Sequence, residues 1–138
     1  MRNRAAIILA IMALVLAVIA CGMFTQEMSL TNVRMAFDQD GNAPTTVFSP
    51  NDEFFAVGDL DNAPAGTIVA ADWRAVAIEG YAPEELIFHQ EINDFTDDLF
   101  TGTIYFQLSN DQGWQSGEYK VDVLMDDNLV ETLYFSVR

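Results

Sequence analysis

Cysteine, histidine and lysine each occur once in this chain of 138 residues. The lone cysteine, Cys21, has no partner for an intrachain disulfide, so whatever folds here is stable without a covalent staple. One cysteine and one histidine, His89, are too few for a metal site built on those two residue types. Lys120 is the sole lysine, and six basic residues stand against 21 acids, for a net charge of −15. That balance argues against nucleic acid and anionic lipid headgroups as partners, and it fits a solvated acidic surface. Beyond the N-terminus there is no second linker, no repeat and no low-complexity stretch. The only helical hint there is a turn near Ala82–Glu85.

What the chain does have is a long apolar run at its start. Arg2 and Arg4 form a short positive head, and the sixteen residues Ala5–Ala20 carry no charged or polar side chain. A spanning helix needs about 20 apolar residues and a secretory core about 7–15, so length alone leaves both open. The run ends in Val18-Ile19-Ala20-Cys21, which resembles the lipobox of bacterial prolipoproteins. Val18 is the aliphatic residue three before the cysteine, Ala20 the small residue before it, and Cys21 the cysteine itself. Ile19 is bulkier than the small residue usual in that family. The resemblance covers residues 1–21 and implies cleavage before Cys21, a diacylglycerol thioether on its sulfur and an acylated new amino terminus. Two or more acyl chains hold a protein stably at a membrane, where one holds it only marginally. The alternative is an uncleaved signal anchor ending at Cys21. Under either reading the rest of the chain lies outside the cytoplasm, at the cell membrane or outer envelope.

Cleavage before Cys21 leaves 118 residues, and the loss of Arg2 and Arg4 takes the net charge from −15 to −17. That length suits one domain with a real core. The expected organisation is a signal peptide or anchor helix at 1–20, the lipidated cysteine with a short tether at 21–30, and one domain at 31–138.

From residue 31 the pattern is short runs of period-two alternation separated by turn residues. Strands are predicted at Thr31–Phe37, Phe54–Leu60, Thr67–Val76, Leu86–Ile92, Phe100–Leu108, Glu118–Met125 and Leu129–Val137. Thr45–Ser49 reads as a short extension before Pro50, and Asp126-Asp127-Asn128 as a hairpin turn. Inward faces are expected to carry Val69, Ala71 and Trp73 on one strand, and Leu129, Leu133, Phe135 and Val137 on the last. Seven short strands without intervening helices predict an all-β, two-sheet antiparallel sandwich.

Within that frame Trp73, on the third strand, and Gln115-Ser116-Gly117-Glu118-Tyr119-Lys120-Val121 resemble the immunoglobulin-like family. The family packs a tryptophan of its third strand in the core and caps a corner with a tyrosine two residues before a disulfide cysteine. Val121 stands where that cysteine would be, and Val57 is the expected opposite number. The resemblance covers about residues 31–138. It implies a disulfide-free, seven-stranded immunoglobulin-like or fibronectin-type sandwich, similar also to small modules of bacterial lipoproteins.

Few residues point to chemistry. His89 has no local nucleophile or orienting partner and reads as an ordinary strand residue. Asp38-Gln39-Asp40-Gly41-Asn42 places oxygen ligands at alternate positions, but an EF-hand would need glycine at Ala43 and an acid at Ser49. A looser calcium site from Asp38, Asp40, Asp59, Asp61, Asp94, Asp97 or Asp98 stands against plain turn chemistry. Trp114 is either a stacking platform for a ligand or a plug at the sandwich end. Phe54 and Phe55 point to opposite faces of one strand, so one of them is a candidate ligand contact. No pair of carboxylates is singled out by spacing for glycoside hydrolysis.

The expectation is therefore a non-enzymatic, lipid-anchored module without a cofactor beyond its lipid. It binds a protein partner or builds the envelope through edge strands and end loops. The alternative is a small-ligand, glycan or calcium-binding module. A flat apolar patch favours the first and a concave aromatic slot the second.

Overall fold

The computed structural model describes residues 26–96 and 98–138. The segment 1–20, the Val18–Cys21 stretch, the start of the tether and Asp97 lie outside the described residues. No helix among the described residues is long and apolar enough to cross a membrane. Eight strands follow one another: β1 (Ser29–Ala36), β2 (Val47–Phe48), β3 (Phe54–Ala63), β4 (Val69–Ile78), β5 (Leu86–Ile92), β6 (Phe100–Leu108), β7 (Gly117–Met125) and β8 (Asn128–Val137). They form a three-stranded sheet, β1-β3-β6, and a five-stranded sheet, β2-β8-β7-β4-β5.

The described residues are thus all-β in two sheets, with eight strands rather than seven. The added strand comes from the extension at 45–49. Phe48 is anchored in the core, which lays Val47–Phe48 parallel to the end of β8. Ser136 and Arg138 donate their backbone N–H groups to the carbonyls of Thr46 and Phe48. The sandwich is therefore not wholly antiparallel. Strand β1 also starts two residues early. Leu30 is buried, and Met28 receives the Thr67 hydroxyl on its sulfur, so the end of the expected tether belongs to the fold.

The two sheets share one core. Leu30, Phe54, Leu60, Ile104 and Phe106 from the smaller sheet meet Val69, Trp73, Val121 and Phe135 from the larger. Phe54 is its aromatic hub: Phe48, Trp114 and Phe135 lie with ring centroids 4.8, 4.7 and 4.9 Å away. Trp73 is buried as expected. Tyr119 stacks on Phe135, and its hydroxyl donates to the Gln115 carbonyl at 2.6 Å, which closes the corner before β7. Gly117 makes that corner sterically open. Its φ is +155°, and a Cβ there would lie 2.5 Å from the Ala77 carbonyl oxygen.

Two inward assignments shift. Val57 does not face Val121. It pairs with Arg34 and Tyr105 and clusters with Ala36 and Phe55 on the outer face of the smaller sheet. Successive residues of a strand alternate faces, so Phe54, Ala56 and Leu60 take the core side and Val57 cannot. Leu129 is 61% exposed instead of inward. Glu131 pairs with Val123 and Leu129 with Leu124, so Val130 is an extra residue that packs on the core in its place.

Candidate interaction groove

Five strands facing three leave β5 at the rim of the sandwich. A groove of about 730 Å³ runs between β5 and β6, with Ile92, Phe95, Phe100, Ile104 and Phe106 among its lining residues. Phe95 and Phe100 close one end, with ring centroids 5.1 Å apart. Gln90 spans the groove. Its amide oxygen accepts the Trp73 Nε1–H at 2.8 Å, and its amide nitrogen donates to the Gln107 carbonyl at 2.8 Å. Glu91 and Asp94 also line it. On the strands that bound it, Leu86, Phe88 and Tyr105 stay exposed, Phe88 by 49% although it lies opposite Trp73 in register.

The outer face of the larger sheet carries a charged network. His89 sits opposite Asp72, which sits opposite Asp122. His89 Nδ1 lies 2.5 Å from Asp72 and Nε2 3.2 Å from Glu91. Those two hydrogen bonds, first Asp72 and then Glu91, raise the His89 pKa above its ordinary value. Both ring nitrogens face carboxylates, an arrangement that stabilises the imidazolium. Arg74 reaches Asp72 at 3.1 Å and Asp122 at 3.4 Å. Lys120 is buried between Glu84 and Asp122, and its bond to Glu84 is the main cause that raises its pKa.

Most of the other sequence candidates are held by local contacts. Phe54 is 0% exposed, so it is the core's centre and presents nothing to a ligand. Trp114 is half-buried, stacks on Phe54 and donates its indole N–H to the Asp52 carbonyl at 3.1 Å, an arrangement that fits the plug. Asp38 accepts the backbone N–H groups of Ala43 and Asn42 at 2.8 and 3.0 Å. These bonds, Ala43 first, lower its pKa. Arg34 donates to the carbonyls of Asp40 and Gly41, so the loop is held by backbone contacts. Asp59 accepts from Asn32 and Thr103, and Asp61 pairs with Ser29 in β1. Asp94 and Asp98 are exposed in the loop before β6. Among the described residues no group of three or more His, Cys, Asp or Glu side chains is arranged to hold a metal ion.

The groove itself was not among the sequence candidates. Gln90 and Gln107 are ordinary polar positions in an alternating strand, and only the stacking of the two sheets brings β5 beside β6.

No family model and no curated protein matches the chain. Solved structures do. An alkylpurine DNA glycosylase from Pseudomonas fluorescens, bound to DNA containing an abasic site analogue, is 13% identical. It covers 81% of this chain and 30% of its own, with a TM-score of 0.53. A β-glucosidase from Listeria innocua in complex with gluconolactone is 14% identical, covering 80% of this chain and 16% of its own, with a TM-score of 0.52. The chain therefore spans between about a sixth and a third of these proteins, and the likeness is one of fold alone.

Proposed function

We propose that the chain is a lipid-anchored, extracytoplasmic immunoglobulin-like module that binds a protein partner at the cell envelope through its β5–β6 side. The lipobox resemblance of Val18–Cys21 supports the anchor. The strand order, the buried Trp73 and the Tyr119 corner support the immunoglobulin-like reading. A fold that recurs as a minor part of much larger chains suits a module. The observation that carries the contact surface is the open groove flanked by exposed Leu86, Phe88 and Tyr105. The glycan or small-ligand alternative loses Phe54 to the core, and the half-buried Trp114 has one ring face stacked on it.

Site-specific photocrosslinking in native membranes tests this. Amine-directed reagents are a poor choice, because the sole lysine is buried and paired. A benzophenone side chain at Phe88 or Tyr105 is expected to trap a partner that the same group at Val47, exposed on the far edge, does not. Equal trapping from all three positions, or none, sinks the proposed surface. For the anchor, Cys21→Ser is expected to abolish lipid labelling and leave an unprocessed precursor. Unchanged labelling overturns that part.

A further inference from the structure

Four strands end the two sheets, and three of them are blunted against pairing. β1 carries a register break between Thr31 and Arg34, a positive φ at Asn32 and the Arg34 charge. β2 has two residues. β5 is broken in register after Trp73 of its neighbour and carries Glu91 and the charge-paired His89. β6 is different. It has nine residues, Phe-Thr-Gly-Thr-Ile-Tyr-Phe-Gln-Leu, with no charge and no proline. Its pairing with β3 is unbroken from Gly102 to Leu108. Natural sheets protect edges with charge, proline, bulges or shortness, and a long regular edge without them is a template for another strand.

The direction of the free groups is fixed by one contact. The Gln107 carbonyl accepts Gln90 and so points away from β3. In an antiparallel pair the N–H and C=O of one residue point to the same side, alternating along the strand. Thr103 and Tyr105 therefore turn their backbone groups to the same free side as Gln107. At ~3.4 Å per residue, this edge holds a strand of about five residues. The groove lies along it, so alternate side chains of an added strand would meet Ile92, Phe100 and Phe106.

The charge around the edge selects the occupant. Glu91 and Asp94 line the groove, and Glu53 and Asp59 bond Gln107 and Thr103 on the outer side. The four lysine and arginine side chains of the described residues lie elsewhere, and His89 is taken by Asp72 and Glu91. Arg34 holds the 38–43 loop, Arg74 and Lys120 sit in the outer network of the larger sheet, and Arg138 follows β8. A second copy of this acidic chain would bring like charge to the same edge.

Resting on the reading of the β5–β6 side as a protein-binding surface, we propose that β6 accepts an added strand from a basic extended segment of the partner, alternating apolar and cationic residues. Main-chain hydrogen bonds to Thr103, Tyr105 and the Gln107 N–H hold it while the Gln107 carbonyl keeps its bond from Gln90, apolar residues enter the groove, and cations meet Glu53, Asp59 and Asp94.

The test uses the full-length chain in detergent micelles and two synthetic nine-residue peptides, Lys-Val repeats and Glu-Val repeats. The readout is amide hydrogen exchange over residues 100–108. The Lys-Val peptide is expected to slow exchange at Thr103, Tyr105 and Gln107, and the effect should fade with added salt. Thr103→Lys, an exposed outward position, should weaken that peptide at least about tenfold, because like charges then meet in one interface. Tyr105→Pro, which removes an outward N–H together with the ring beside Phe55, should also prevent protection. No protection by the Lys-Val peptide overturns the proposal. Equal protection by the Glu-Val peptide, or protection that rises with protein concentration alone, overturns the basic occupant in favour of sequence-blind or self pairing. Site-dependent photocrosslinks from Phe88 would survive such a failure, and their absence would leave a positive exchange result standing, so the two readings fail separately.

Discussion

Gln90 and Trp73 are joined across β5 and β4 by a 2.8 Å hydrogen bond from the indole N–H to the amide oxygen. The same amide group donates to the Gln107 carbonyl of the opposite sheet. One partly exposed side chain thus satisfies the polar atom of the core tryptophan and ties two sheets that have no disulfide between them.

Gln90→Ala is expected to destabilise the domain by about 1–3 kcal/mol, because the Trp73 N–H then lacks a partner in an apolar setting. In a Trp73→Phe background the same change should cost less. Urea unfolding of the four proteins in that cycle gives the coupling directly, and a coupling near zero would show that the bond contributes nothing.

Tyr119→Phe removes the hydroxyl that reaches Gln115 while keeping the ring on Phe135. A loss of about 1 kcal/mol is expected. Tyr134→Phe, at an exposed position, should change nothing. Equal stability of the two variants would remove the corner bond from the account of this fold.

Gly117→Ala should destabilise by about 1–3 kcal/mol, since its backbone conformation is one that L-residues rarely adopt. The Ala77 carbonyl cannot move aside cheaply from the new Cβ, because β4 is paired with β7 next to it. A melting temperature unchanged from the parent would mean that the turn relaxes freely.

The pH dependence carries a sign. The His89 pKa is raised in the folded chain by Asp72 and Glu91. Its contribution is therefore fully present below the unfolded value of about 6.5 and is lost as pH rises through the higher folded value. Melting temperature should fall more between about pH 6 and pH 9 in the parent than in His89→Gln. Parallel curves for the two proteins would refute that assignment.

Much of the architecture was legible because it rests on local rules. Period-two alternation places the seven long strands, and both ends of β5 and β6 agree with the sequence reading. The Asp126-Asp127 pair takes positive φ at both residues, as a two-residue hairpin requires. Trp73 and Tyr119 are core and corner as their resemblance implied. The misreadings share one cause. Val57, Leu129 and the pairing of β2 depend on register and on an inserted residue, and a one-residue shift turns a side chain to the other face.

The sequence by itself determined a disulfide-free, acidic, all-β chain with a hydrophobic run ending at Cys21, because composition and alternation are properties of neighbouring residues. The tertiary structure decided which edge stays open, that Gln90 bridges to Gln107, and that Phe54 is core with Trp114 stacked on it. Those facts depend on strand order and on how the two sheets stack, which alone bring into contact residues 17 positions apart, Trp73 and Gln90 within one sheet and Gln90 and Gln107 across two.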